Sequence, residues 1–128
     1  MAGERNYHIF YHILKGASDD LLSDLRLLRG DGSRPMYTDF NYLKQGSDVD
    51  QEIVNDIELY EEVHGVFADL GFGEEERLAV YKSVAAVLLI GELEFDGSTF
   101  DESGTPCQIK NREKLDDVAS LIGIEDPA

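Results

Sequence analysis

Apolar residues along this chain recur at spacings of three and four, which predicts a mainly helical fold. Tyr7, Phe10, Tyr11 and Leu14 fall at i, i+3, i+4 and i+7 in a helix over 5–15, with Ile9 and Ile13 on nearly the opposite side. Gly16 ends it, and Ser18 caps a second helix whose buried stripe is Leu21, Leu25 and Leu28, with Asp19 and Asp20 in its first turn. Residues 30–35 are a loop by composition, and 37–43 form a short aromatic stretch, extended or irregular. Leu59, Val63, Val66, Phe67 and Leu70 keep helical spacing in a helix over 54–70, stopped by Gly71. Glu74, Glu75 and Glu76 open a helix that runs to Ile90.

The remainder reads as one short β-hairpin near 93–109, followed by a last helix. Its strands are 93–95 and Gln108-Ile109, joined by turn chemistry at Gly97-Ser98-Thr99 and Ser103-Gly104-Thr105-Pro106. Asn111 caps the final helix, Leu115, Val118, Ala119 and Ile122 make its buried stripe, and Gly123 ends it. The helix at 7–14 and the segment 84–90 are apolar almost all round. Helices of that kind need burial on several faces, so the pattern predicts neighbours beyond a small domain, with dye binding and a broad melt for the piece alone.

Composition narrows the function classes. The 128 residues suffice for one domain or part of a larger one, and a net charge of −16 argues against nucleic acid or an anionic membrane as partner. Cys107 stands alone, so no intrachain disulfide forms. The apolar run 84–90 is too short to span a bilayer, and a cytoplasmic protein is expected.

Candidate chemistry is sparse. Glu4, His8 and His12 stack at i, i+4 and i+8, but Ile9 stands where a zinc-protease helix needs glutamate, so the histidines read as structural. Asp48, Asp50 and Glu52 alternate like the start of a calcium loop, yet its sixth and twelfth positions hold Ile53 and Leu59. Cys107 and His64 are the raw material for a nucleophilic pair, with nothing in the sequence to bring them together. No Gly-Lys-Ser or Gly-Lys-Thr closes a glycine-bearing loop. These readings assign no catalytic, cofactor-binding or metal residue.

The run Gly3-Glu4-Arg5-Asn6-Tyr7-His8-Ile9-Phe10-Tyr11 resembles the GERNYHIFY segment of myosin motor domains. Leu70-Gly71-Phe72, three glutamates, and Ala85-Ala86-Val87-Leu88-Leu89-Ile90-Gly91-Glu92-Leu93-Glu94-Phe95 resemble the family's LGF, acidic residues and AAILHLGNIEF. Asn55-Asp56-Ile57-Glu58-Leu59-Tyr60 is similar to the start of the helix leading to LGF, and Leu121-Ile122-Gly123-Ile124 to the family's Leu-Leu-Gly-Val.

The resemblance covers nearly the whole chain and implies an internal fragment, 1–128, from the upper part of the actin-binding cleft. It implies a piece without the P-loop and the two switch loops, which bring ATP and Mg to the intact motor. This piece would be inactive alone and would link nucleotide pocket to actin cleft mechanically. The implied partners are the rest of the motor and the actin filament, and the implied location is the actin cytoskeleton. The actin-facing loop of some myosins matches 96–109, which here offers Asp96, Asp101 and Glu102 and no basic residue before Lys110. Actin is itself acidic, so a strong contact there is not expected. Leu89 and Glu92 depart from the histidine and asparagine of the family's HLGN and point to a divergent class. Two rivals stand beside this reading: a free-standing acidic helical interaction module, and a small metalloenzyme using His8 and His12.

Overall fold

The computed structural model describes residues 4–47, 54–98 and 107–125. Its elements run α1 (His8–Gly16), α2 (Asp19–Asp24), a single 3-10 turn (Tyr37–Asp39), α3 (Asp56–Asp69), α4 (Glu74–Ile90), β1 (Phe95–Asp96), β2 (Gln108–Ile109) and α5 (Arg112–Ile122). The fold is mainly α with one small antiparallel hairpin, in which Phe95 pairs with Ile109 and Asp96 with Gln108. β1 therefore lies one to two residues later than the expected 93–95. α1 packs on α3 and touches α4, while α4 packs on α5.

Helix caps act locally, the expected Ser18 and, unforeseen in the sequence, Asn55. Ser18 accepts a hydrogen bond from Leu21 N at 3.2 Å, and Asn55 accepts from Glu58 N at 3.3 Å. Glu76 reaches back to accept from Gly73 N at 2.8 Å, so the acidic opening of α4 satisfies one of its own orphan donors. Gly71 takes the left-handed conformation (φ 88°) that ends α3 cheaply.

α1 is the centre of the molecule. Phe10, Tyr11, His12, Ile13 and Leu14 are consecutive and all buried, so the helix is covered on every side. That burial comes from this chain's own elements, which overturns the expectation that α1 needs neighbours from outside. Tyr7 belongs to neither helix nor core: α1 starts at His8, not Arg5, and Tyr7 is 77% exposed. α4 behaves differently, since Ala85, Ala86, Leu88 and Leu89 are buried while Val87 and Ile90 remain open to solvent.

Three further expectations are corrected. α2 stops at Asp24 because Arg26 turns left-handed (φ 59°), with Leu27 N bonded back to Leu22 O at 3.0 Å. The reversal puts Leu22, Leu25 and Leu27 in the core and leaves Leu21 and Leu28 half-buried against it. In α5 the buried residues are Val118, Ala119 and Leu121, and Ile122 faces outward. Asn111 sits at the start of α5 without capping it. Its amide instead donates to Glu92 O (2.7 Å) and accepts from Glu94 N (2.9 Å), tying the hairpin to α4.

Gly16 shows why α1 and α3 can approach so closely. A Cβ at that position would run into the Cβ and ring of Tyr60 on α3. Arg34 then closes the end of α1 by donating to the carbonyls of Leu14 (3.1 Å), Lys15 (3.0 Å) and Ala17 (2.9 Å), while also pairing with Asp19 at 2.6 Å. A cation at a helix C-terminus satisfies orphan carbonyls and complements the dipole there.

Candidate functional site

The densest polar constellation lies between α1 and α3. Asp56, the first residue of α3, is fully buried, and Arg5 donates from one guanidinium nitrogen to both of its oxygens at 3.0 and 2.9 Å. Lys15 Nζ stands 3.4 Å from one carboxylate oxygen and His12 Nε2 3.7 Å from the other. The Arg5 guanidinium also lies over the Tyr11 ring, 3.8 Å from its centre, adding a cation–π contact to the ion pair. Burial lowers the basicity of His12; Asp56 opposes that effect, and the charges of His8 and Arg5 reinforce it. The hub gathers cationic groups around one buried carboxylate and so clamps the α1 region to α3.

A second cluster joins α3 to α4. His64 stacks on both Tyr60 and Tyr81, with ring centroids 5.7 and 5.9 Å away, and the two tyrosine rings are themselves 5.9 Å apart. His64 Nδ1 lies 2.9 Å from Tyr81 Oη, and Arg77 Nη1 lies 3.3 Å from Nε2. Arginine only donates, so these partners assign the lone pair to Nε2 and the proton to Nδ1, which donates to Tyr81. Burial pushes the Tyr81 phenol up to about 12, with the neighbouring Tyr60 adding to the shift.

The remaining sequence candidates separate in space. Cys107 is exposed and its Sγ donates to Asp96 O at 3.3 Å, while His64 is engaged with Tyr81 and Arg77, so the structure does not assemble a Cys–His pair. His8 is exposed and His12 buried, their rings 6.2 Å apart, and His12 faces Asp56. Among the described residues no group of three His, Cys, Asp or Glu is placed to hold a metal ion. Asp96 Oδ1 accepts from Ser98 N at 2.9 Å, and hydrogen bonds from Ser98 hold its carboxyl below the usual range. Asp101 and Glu102, like Asp48, Asp50 and Glu52, lie outside the described residues.

The cleft beside α1 does not fit a nucleotide's phosphates. This apolar cleft of about 310 Å³ is lined by Tyr11, Leu14, Pro35, Met36, Tyr37 and Ile57. Of the cations at its edge, Arg34 is committed to helix carbonyls and Lys15 to Asp56. Glu92 is an acceptor too, taking hydrogen bonds from the backbone and side chain of Asn41. That contact docks the 37–43 segment, with Phe40 and Leu43 buried, onto the end of α4. Among the described residues no helix is long and apolar enough to cross a membrane.

Sequence reasoning named Asp56 as part of a motif without seeing its role. The only signal was Arg5 in one family-like segment and Asp56 in another, with nothing to pair them.

Comparison with known proteins joins these segments into one assignment. The family model for the myosin head (motor domain) matches residues 1–128. The chain is 34% identical over 124 residues to a myosin-I heavy chain of Dictyostelium discoideum, covering 97% of this chain and 5% of that protein. It is 36% identical over 123 residues to human unconventional myosin-Ib, covering 96% of this chain and 10% of that protein. Against the non-muscle myosin-2 heavy chain of Acanthamoeba castellanii it is 31% identical over 124 residues, or 96% of this chain and 8% of that protein. The chain thus spans a tenth or less of these three relatives, and it belongs to the myosin head (motor domain) family.

Proposed function

We propose that this chain is the helical part of an actin-based, ATP-driven motor that carries motion rather than chemistry. The observation that supports this most is the Arg5–Asp56 clamp, which welds the two family-like segments on α1 and α3 into one body across 51 positions of sequence. Breaking a buried pair of this kind costs several kcal/mol, so the two helices move together or not at all. A block of that stiffness transmits displacement between distant sites, here the nucleotide pocket and the actin cleft. ATP and Mg would be held by other segments of the motor, since no phosphate-binding loop occurs in these 128 residues. The chain is cytoplasmic in this reading and works on the actin cytoskeleton.

The test compares ATP turnover by the intact polypeptide, with and without actin filaments, to turnover by the 128-residue chain. The proposal expects actin-stimulated turnover in the first and none in the second. Turnover by the isolated chain, or an intact protein indifferent to actin, would refute it. The sealed surround of α1 favours one rival, a free-standing acidic interaction module. That rival requires the intact protein to lack ATP turnover altogether.

A further inference from the structure

We infer that the outward flank of α3 is a docking strip for an amphipathic helix with a basic edge, contributed by another part of the same polypeptide. The inference builds on the motor reading above. Leu59, Val63, Val66 and Leu70 follow one another at spacings of four, three and four, the seam one helix presents to another. The sequence pattern alone predicts this stripe to be buried. The structure instead turns Asp56 and Tyr60 into the core and leaves the seam opening progressively toward the C-terminus of α3. Leu59 and Val63 are half-buried, Val66 is 47% exposed and Leu70 is 70% exposed.

A second column runs alongside the seam. Glu58, Glu62 and Asp69 each precede a seam residue by one position, and all three are exposed. Among the described residues none of the three forms a salt bridge. Gly65 occupies the same column before Val66, and nothing lies within 4 Å of the place its Cβ would take. An apolar seam, an acidic rail and a low point beside it together select an occupant with apolar residues at the same spacing and Lys or Arg along one edge.

α3 and the sequence around it do not supply that edge, having no Lys or Arg between Lys44 and Arg77. A second copy is disfavoured because each carries a net charge of −16. The relatives above are ten to twenty times longer by their covered shares of 10% and 5%, and a helix from such additional polypeptide is the occupant we commit to.

The test uses the native full-length polypeptide, unmodified, treated with a carbodiimide that joins carboxylates to amines in direct contact. Mass spectrometry should find Glu58, Glu62 or Asp69 joined to lysines of the same polypeptide that lie outside these 128 residues. Links only to a separate protein, links between two copies, no links from these acids, or a native polypeptide that ends with these residues would each overturn the inference. A Leu70→Cys variant in a Cys107→Ser background gives an independent readout. Maleimide should label it at least an order of magnitude more slowly in the native protein than after denaturation; comparable rates would contradict the proposal. Actin-stimulated ATP turnover measured on the same preparation separates the two claims. If it is present while the seam is open, only the docking strip falls; if it is absent, the motor reading falls as well.

Discussion

Arg5 and Asp56 stand 51 residues apart in sequence and meet through paired hydrogen bonds of 3.0 and 2.9 Å, with the aspartate entirely shut from solvent. Removing one partner leaves a buried charge without its counter-charge, whereas replacing both by apolar residues removes the need for either. Asp56→Ala should therefore destabilise the chain by about 3–5 kcal/mol, and the double replacement Arg5→Met with Asp56→Leu should recover most of that loss. Urea unfolding of the natural protein, the single variants and the double variant measures it. Equal losses for the single and the double variant would show that the clamp is not the source.

Two glycines in helices should respond to alanine with opposite signs. At Gly16 the added methyl meets Tyr60, so Gly16→Ala should cost about 1–3 kcal/mol despite better helix propensity. Gly65 has open space around it, so Gly65→Ala should stabilise the chain by up to about 1 kcal/mol. Thermal melts of both variants decide the matter, and a same-sign result would contradict the packing described between α1 and α3.

His12 gives the hub a pH dependence of defined sign. Its folded-state pKa is lowered by burial, so the unfolded chain binds more protons in the window below the ordinary value of 6.5. Its contribution to stability is present above that value and is lost as pH falls through it. The groups facing it are Asp56 across the interface, itself paired with Lys15, and Arg5 and His8 on its own side. Stability between about pH 7.5 and about pH 5 should fall more steeply in the natural protein than in His12→Gln. Parallel profiles would remove His12 from the account.

Tyr81 titrates the other way. With its phenol pushed up to about 12, the folded state holds a proton that the unfolded state gives up near 10, so stability falls as pH rises across that interval. Tyr81→Phe should flatten this alkaline slope. It should also cost about 1–3 kcal/mol at neutral pH, because the His64 Nδ1 proton loses its acceptor. Denaturant midpoints at neutral and alkaline pH report both effects.

Local signals in the sequence located most elements and few of the partnerships. Ser18, Gly71 and Gly123 mark boundaries because capping and chain reversal are decided by a few neighbouring residues. The early end of α2 escaped notice because Arg26 adopts a backbone conformation that its residue type rarely visits. The choice of Leu22 over Leu21, and of Leu121 over Ile122, depends on which side the neighbouring helices come from, and a periodic pattern leaves that open by one position. The family resemblance was legible because its segments are specific. The clamp between two of those segments was not, since a long-range pair leaves no trace in a single sequence. Arg34 was hidden for a similar reason: nothing local shows that a loop residue reaches back to the end of α1.

The claim most open to direct measurement is that α1 and α3 move as one rigid body. Hydrogen exchange on the full-length polypeptide, alone, with added ATP and with added actin filaments, measures it at His8–Gly16 and Asp56–Asp69. The account predicts that amides in both helices keep the same protection in all three states. Separate gains or losses of protection in α1 and α3 as ATP or actin binds would contradict it.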